Sequence, residues 1–558
     1  MQLERKSLKT KDMTRRYTIL ALLLAMCCSM WATVPPRKPG MGKPLPDAEL
    51  VDESGDAQSA PRRIGSQATA PMKAKGSPKI PVILVQFSDC YFKSGLGTTT
   101  NAAGEEVKDS CDTDAKVAVV NAFYDKFCNG DGKSDYYTGA GSHGAIKEYF
   151  RDQSNGQFTP EFTVIGPVTV PNGYGYYGKN GTNTKDINMT DFYKHALTAA
   201  QAIHTSWSDF DNDGNGVIDM AFFIYAGEGE NGDGTDDSIW PKEQRTGGTL
   251  NSMKYGCYAC CNEMYEGETD GIGVFCHELS HALGLPDFYD TGYVAYGMDY
   301  WDIMDSGCYC NDGYTPCNYT AYERAFMGWQ DLVELTAADA QKEITLQSTS
   351  DYGVGYKIVN PANANEYYVL ENRQNKGWDM NIGHGSADLG LIHGMLVSHV
   401  DFNQSLWNTN NVNTNANHQY MTVVPADGVL DSYMYVDNFN EYVAFLKSAY
   451  GDLYPGYQKV TELSGEKQYV YTSTGDTPHQ MNQPILDIKE HEDGTITFFF
   501  MDYPTLVNSL FANEKSGVPV YDLSGVQHGT TVVVDGKPQR LPAAAGTYIV
   551  DGKKYIVR

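Results

Sequence analysis

The sequence predicts an α+β domain, followed by a β-rich region and a small C-terminal β-sandwich of the Ig-like kind. Three observations carry that expectation. Apolar runs of strand length, IPVILVQFSD at Ile80–Asp89 and MAFFIYAG at Met220–Gly227, alternate with segments of helical character. From about Thr336 the texture changes to strand-like segments such as EYYVLENRQ and GMLVSHVDF, set between Asn- and Gly-rich loops. The C-terminal stretch holds VPVYDLSG, TTVVVDG and GTYIVDGKKYIVR, short strands around Gly-containing turns. The boundaries read as 1–32 for an export signal, 33–78 for a pro-segment or linker, 79–335 for the α+β domain, 336–505 for the β-rich domain and 506–558 for the C-terminal module.

Each element has a local reason. Arg15 and Arg16 precede the apolar run TILALLLAMCCSMWA at Thr18–Ala32, which is too short to span a bilayer comfortably and has no stop-transfer charges after it. A removable signal and no stable membrane insertion follow, with the protein secreted or attached at the cell surface. The next stretch, to Lys79, is rich in Pro, Gly, Ser and Ala, the composition of an extended segment. SHGAIKEYFRDQSNG, Ser142 to Gly156, reads as a helix capped by Ser142 and stopped at Asn155-Gly156. A second helix runs through GIGVFCHELSHAL and ends at Gly284 and Pro286.

Composition narrows the function classes. Lys plus Arg total 42 against 70 Asp plus Glu, a formal charge of -28. Such a surface repels phosphate backbones and excludes nucleic acid as a partner. Twelve cysteines are present, two of them in the signal. The other ten, between Cys90 and Cys317, form an even set in an exported chain, which predicts disulfides. Cys276, among apolar residues, fits a core position.

The chemistry concentrates in CHELSHALGLPD, Cys276 to Asp287. His277 and His281 are four apart, so a helix places both imidazoles on one face, able to share a tetrahedral cation such as Zn2+ at about 2.0–2.1 Å. Glu278 lies about 100° round the helix from His277, within reach of a water at that cation without being a ligand. A carboxylate there can take the water's proton and pass it to a leaving amine. Gly284 can adopt a left-handed conformation and turn the chain back, so that Asp287 becomes the third ligand; Asp290 is the alternative. Two histidines and one carboxylate leave one position open, as a catalytic zinc requires. The competing reading is a helix that carries these side chains for packing, and the added glycine and aspartate weigh against coincidence.

These residues resemble the immune inhibitor A family of secreted bacterial zinc metallopeptidases, which share HExxHxxGxxD and relate to the metzincins. The likeness also covers IPVILVQFSD, IKEYFRDQSNGQF, DFDNDGNGVIDMAFFIYAGEG, SIWPKE, WDIMDSG, ENRQNKGWD and HGMLVSHVD, spanning about Ile80 to Gly428. It implies a metzincin-like fold for the α+β domain, protein or peptide substrates, and a methionine turn at WDIMDSG with Met304 as the floor under the zinc. The aspartate in place of a third histidine makes the zinc a weaker Lewis acid. A silent cell-surface adhesin that keeps the fold is the alternative, and an intact Glu278 argues against it.

Two further signals complete the reading. DFDNDGNGVID places Asp209, Asp211, Asp213 and Asp219 around Gly214, a spacing that suits Ca2+, with Asp219 closing the site where an EF-hand would have a glutamate one residue later. NGDGKSD at Asn129–Asp135 is a weaker version. Val520–Gly525 followed by GTYIVDGKKYIVR at the chain end resembles the C-terminal sorting domain of the type IX secretion pathway, which implies that machinery as a partner. His384, His393 and His399 fit strand interiors, and Tyr309 and Tyr319 are candidate oxyanion stabilisers.

Overall fold

The computed structural model describes residues 70–558 apart from 102–103, 131–141, 183–184, 233, 245–246, 292–294, 383–391, 431–448, 473–474, 503–514, 535–536, 543 and 558. The export signal, most of the pro-segment, residues 131–135 of the weaker acidic turn and His384 lie outside the described residues. Two compact units emerge: one from residues up to 335 together with 345–498, the other from 336–344 with 499–558.

The first unit is organised by a six-stranded sheet. Its strands are β1 (Lys79–Gln86), β2 (Glu161–Thr169), β3 (Ala221–Glu228), β4 (Lys242–Gln244), β5 (Tyr258–Tyr265) and β6 (Glu268–Thr269), in the order β6-β5-β3-β1-β2 with β4 also pairing β5. β2, β1, β3 and β5 run parallel, in registers such as Ile83 opposite Phe223 and Ile165. A parallel sheet is covered on both faces, so its strands carry continuous rather than alternating apolar residues. Seven of the eight residues of β1 and all eight of β5 are buried, which is why IPVILVQ was legible as a strand.

Helices cover this sheet. α1 (Asp114–Asn129) lies along β2, anchored by Asn129 Nδ2, which donates to the Phe162 carbonyl, and by Asn121 Nδ2, which donates to Gly166 O. α2 (Ile146–Gln153) begins three residues later than the Ser142 cap implied: Ala145 is the cap residue, and Glu148 reaches back to its N–H at 2.9 Å. It ends as expected, where Asn155 and Gly156 take left-handed backbone and Gly156 N–H closes on Arg151 O. α3 (Met189–Ile203) packs its Phe192 and Tyr193 onto β3 through Phe223.

α4 (Gly273–Ala282) carries CHELSHA and is buried along its whole length. Phe275 fixes it to the sheet. Its ring stacks on Phe222 of β3 at 3.6 Å between centroids and meets Phe162 of β2 edge-on at 5.6 Å. Phe275→Ala is expected to cost about 3–5 kcal/mol through the cavity it leaves. Chemical denaturation of the purified variant reads this directly.

The unit also holds a second, five-stranded sheet: β7 (Val333–Glu334), β8 (Tyr356–Asn360), β9 (Asn363–Arg373), β10 (Gly394–Asp401) and β11 (Met421–Val423), in sequence order and antiparallel except for β7 with β8. Short helices α5 (Ala321–Phe326) and α6 (Gln404–Asn408) flank it. The fully buried Trp407 of α6 packs against Phe288 and donates its Nε1–H to Tyr322 Oη of α5 at 3.0 Å. The β-rich region is therefore built into the same unit as α4. Among the described residues no helix is long and apolar enough to cross a membrane.

The second unit holds one five-stranded sheet of β12 (Lys515–Asp522), β13 (Gln527–Val534), β14 (Lys537–Pro538), β15 (Gly546–Val550) and β16 (Lys553–Val557), in the order β14-β13-β12-β15-β16. All its pairings are antiparallel. Two facing sheets were expected. Among the described residues the five short strands pair into a single sheet, with a buried apolar cluster of Val520, Val533, Tyr548 and Val550.

The ten described cysteines form no disulfide bond with one another. Nine are buried, Cys276 among them, and they serve as small apolar core residues.

Candidate metal centre

The site begins with helix geometry. One turn of α4 separates His277 from His281, and the rings lie 4.9 Å apart nearly perpendicular. Each ring is fixed by a backbone carbonyl: His277 Nδ1 to Ile303 O and His281 Nδ1 to Leu285 O, both at 2.8 Å. A carbonyl only accepts, so each Nδ1 carries the ring proton and each Nε2 presents a lone pair. The Leu285 carbonyl is available because the helix ends there. Gly284 takes φ +108, and Leu285 N–H turns back to Ser280 O.

That turn also delivers Asp287. Its Oδ1 lies 3.1 Å from His277 Nε2 and 3.2 Å from His281 Nε2. Among the described residues, these three are the one group of His, Cys, Asp or Glu whose donor atoms lie within 4.8 Å of one another. All three are buried. With both ring protons on Nδ1, neither Nε2 has hydrogen to give, and Asp287 Oδ1 accepts no hydrogen bond. A buried carboxylate oxygen facing two lone pairs is costly unless a cation sits among them. A tetrahedral zinc with bonds of about 2.0–2.2 Å separates its donors by roughly 3.3–3.5 Å, close to the spacing found here. The residues fit the metal.

The electrostatics agree. Burial opposes charge on His277, yet the negative carboxylate of Asp287 facing Nε2 outweighs it and raises the imidazole's affinity for a proton well above its ordinary value, as it would for any cation placed there. Burial likewise acts to raise Asp287, but the two imidazoles hold it far below the usual carboxylate range. The pocket draws in positive charge.

Glu278, 5% exposed, follows His277 in the helix, and its charge reaches both His277 and Tyr309. The loop beneath the site contains Met304, which is fully buried. Its backbone accepts Phe288 N–H at 2.8 Å, and the neighbouring Ile303 supplies the carbonyl that fixes His277. Asp302 Oδ1 accepts Met304 N–H at 2.8 Å, and burial pushes this carboxyl up to about 6. Asp290 is not in the group formed by His277, His281 and Asp287, and its Oδ2 accepts Ala295 N–H at 2.8 Å.

Asp209, Asp211, Asp213 and Asp219 form no converging group. Asp209 faces Lys79 at 3.7 Å, Asp211 accepts the Asn215 and Gly216 amides, Asp213 also accepts from Asn215, and Asp219 accepts from Asn212 Nδ2. Asp211 and Asp213 thus accept the turn's own N–H groups. His399 is satisfied inside its strand by Glu366 at 3.0 Å, and His393 pairs with Glu490. Tyr319 bonds Ser280 Oγ on α4 and is fully buried, so it serves packing, whereas Tyr309 Oη accepts from Asn231 Nδ2 at 3.4 Å. Sequence reasoning missed Asn410, whose carboxamide contacts Asp287. It also missed the carbonyls of Leu285 and Ile303, since backbone atoms leave no residue signature.

Two imidazoles and a carboxylate around one point, with a glutamate beside them on a helix that crosses a mainly parallel sheet, define a metal-dependent hydrolase centre. Residues 67–331, just under half of the chain, match the model of the immune inhibitor A peptidase M6 catalytic domain. By class this region is a metalloendopeptidase catalytic domain. The chain is 30% identical over 278 residues to immune inhibitor A of Bacillus thuringiensis subsp. alesti, covering 40% of each chain. It is 28% identical over 225 residues to the pre-pro-metalloprotease PrtV of Vibrio cholerae serotype O1 (strain M66-2), covering 34% of this chain and 24% of that one. The chain thus matches less than half the length of these relatives.

Proposed function

We propose that the protein is a secreted zinc-dependent endopeptidase that hydrolyses peptide bonds of proteins outside the cell. His277, His281 and Asp287 hold the zinc, and Glu278 is the general base. The carrying observation is the pair of imidazoles whose Nδ1 protons are fixed on Ile303 O and Leu285 O, so that both Nε2 atoms face Asp287 Oδ1. When bound, the zinc supplies a Lewis acid for the scissile carbonyl and lowers the pKa of a water.

The chain's own residues do the rest. Asp287 brings a negative charge to the metal, while the Ile303 and Leu285 carbonyls keep the two imidazoles oriented. Glu278 removes a proton from the attacking water and returns it to the amine as the peptide bond breaks. Burial of the site strengthens these interactions by excluding bulk solvent. The composition, the N-terminal signal and the likeness of the last segment to a type IX sorting domain support export and surface delivery; the two relatives, named as an immune inhibitor and a metalloprotease, support peptide substrates.

Metal removal tests the reading. A chelator is expected to abolish cleavage of casein, and added zinc to restore it, with one zinc per chain by elemental analysis. The zinc-loaded protein is expected to melt higher than the stripped form, since a ligand at a thousand times its Kd adds about 4 kcal/mol. Full activity after stripping would sink the proposal.

A further inference from the structure

We infer that Asn410 is the positioning residue that sets the third metal ligand, so that the β-rich region completes the metal centre. The inference rests on the zinc reading above and extends it to a residue 123 positions beyond Asp287.

The contact is made at two points. Asp287 N–H donates to Asn410 Oδ1 at 2.7 Å, and Asn410 Nδ2 donates to Asp287 Oδ2 at 2.5 Å. The first bond fixes the orientation of the amide, because a backbone N–H must meet an oxygen; the NH2 group then has to face the carboxylate. A carboxamide is suited to this task. It offers one acceptor and one donor on a single planar group, and it is neutral, so it orients the carboxylate without cancelling the charge the cation needs. With Oδ2 held by Asn410, Oδ1 is the oxygen left to face both imidazoles.

Asn410 is itself held in place. It follows α6 with φ +55, a left-handed conformation that asparagine tolerates better than most residues. Trp407, three residues earlier, is locked against Phe288 and Phe402 and bonded to Tyr322. Three residues later, Asn413 Nδ2 donates to Phe288 O at 2.7 Å and to Met421 O of β11 at 2.6 Å. The two asparagines therefore grip Asp287 and Phe288 in succession, and Asn413 is tied to Met421 of the second sheet. Partners that orient a ligand in this way commonly affect metal affinity by about 10- to 100-fold.

Asn410→Gly removes the carboxamide and keeps the left-handed backbone; Asn410→Asp keeps size and backbone but replaces the donor with an oxygen. The full chain is stripped and titrated with zinc against a competing chelator, then loaded with cobalt for its visible absorption spectrum. Asn410→Gly is expected to weaken zinc binding by roughly 10- to 100-fold, and both variants to shift the cobalt bands, while zinc-free Asn410→Gly melts close to the zinc-free parent. A purely structural role would lower zinc-free stability and leave affinity and spectrum alone, which would overturn the inference. So would parental affinity and spectrum in whichever of the two variants folds. The parent and His281→Ala, titrated alongside, separate the two failures: a parent that binds no more zinc than His281→Ala overturns the zinc reading and this inference together, whereas a parent that binds tightly leaves the zinc reading standing.

Discussion

Glu278→Gln is expected to lower kcat for peptide hydrolysis by about a hundred- to ten-thousand-fold while zinc content stays at the parental level. The substitution keeps the shape of the side chain and removes its ability to take a proton. Glu278 contributes no donor to the group formed by His277, His281 and Asp287, so the metal is expected to remain. Loss of activity without loss of metal distinguishes a base from a ligand. The same experiment separates an enzyme from a silent adhesin with this fold, since an adhesin would bind its partner equally well with either side chain. Single-turnover cleavage of a fluorogenic peptide and elemental analysis of the same sample are the measurements; parental turnover in the variant would overturn the assignment of the base.

The sequence exposed the parts of this site that depend on one local element. The spacing from His277 to His281 needs only helix geometry, and the step through Gly284 to Asp287 needs only one left-handed glycine. The parallel strands were legible because burial on both faces demands unbroken apolar runs. Asn410 was not legible, because the sheet that returns it to Asp287 is a matter of topology rather than spacing. The acidic loop shows the same limit: carboxylates at alternate positions suit a cation and suit the N–H groups of a tight turn, and Asp211 accepts the Asn215 and Gly216 amides. For the cysteines, compartment logic says that thiols can pair but not whether the fold brings them together. The C-terminal strands were found, and their number per sheet was not, because period-two patterns do not reveal how many sheets share them.

Arg373→Met is expected to destabilise the protein by about 3–5 kcal/mol at neutral pH. Arg373 ends β9 fully buried, with its Nε and Nη2 each 2.8 Å from the two oxygens of Asp379 and its Nη1 3.0 Å from Glu371. The same Nη1 donates to Trp301 O at 2.7 Å, three residues before Met304 in the loop beneath His277. Removing the guanidinium leaves two carboxylates buried without their cation, and that desolvation, rather than the lost contacts, is the larger cost. Burial already raises Glu371, and Arg373 counteracts it; without the arginine the folded-state value climbs further above the unfolded one. The folded variant then binds more protons than its unfolded chain across that interval, so its stability falls as pH rises through it and recovers as pH drops toward the unfolded value. The deficit relative to the parent is therefore expected to shrink in mild acid. Neutralising the partners as well, in Arg373→Met/Glu371→Gln/Asp379→Asn, is expected to restore only part of the loss at neutral pH: the two carboxylates are no longer stranded, but the buried Arg324 loses their favourable charge while keeping its hydrogen bonds to Thr349 O and Gln153 Oε1. Denaturant titrations of the three proteins across pH decide the matter: a single variant with a pH-independent deficit, matched by the triple variant, would mean that packing around Arg373, and not its charge, holds the second sheet to the metal-site loop.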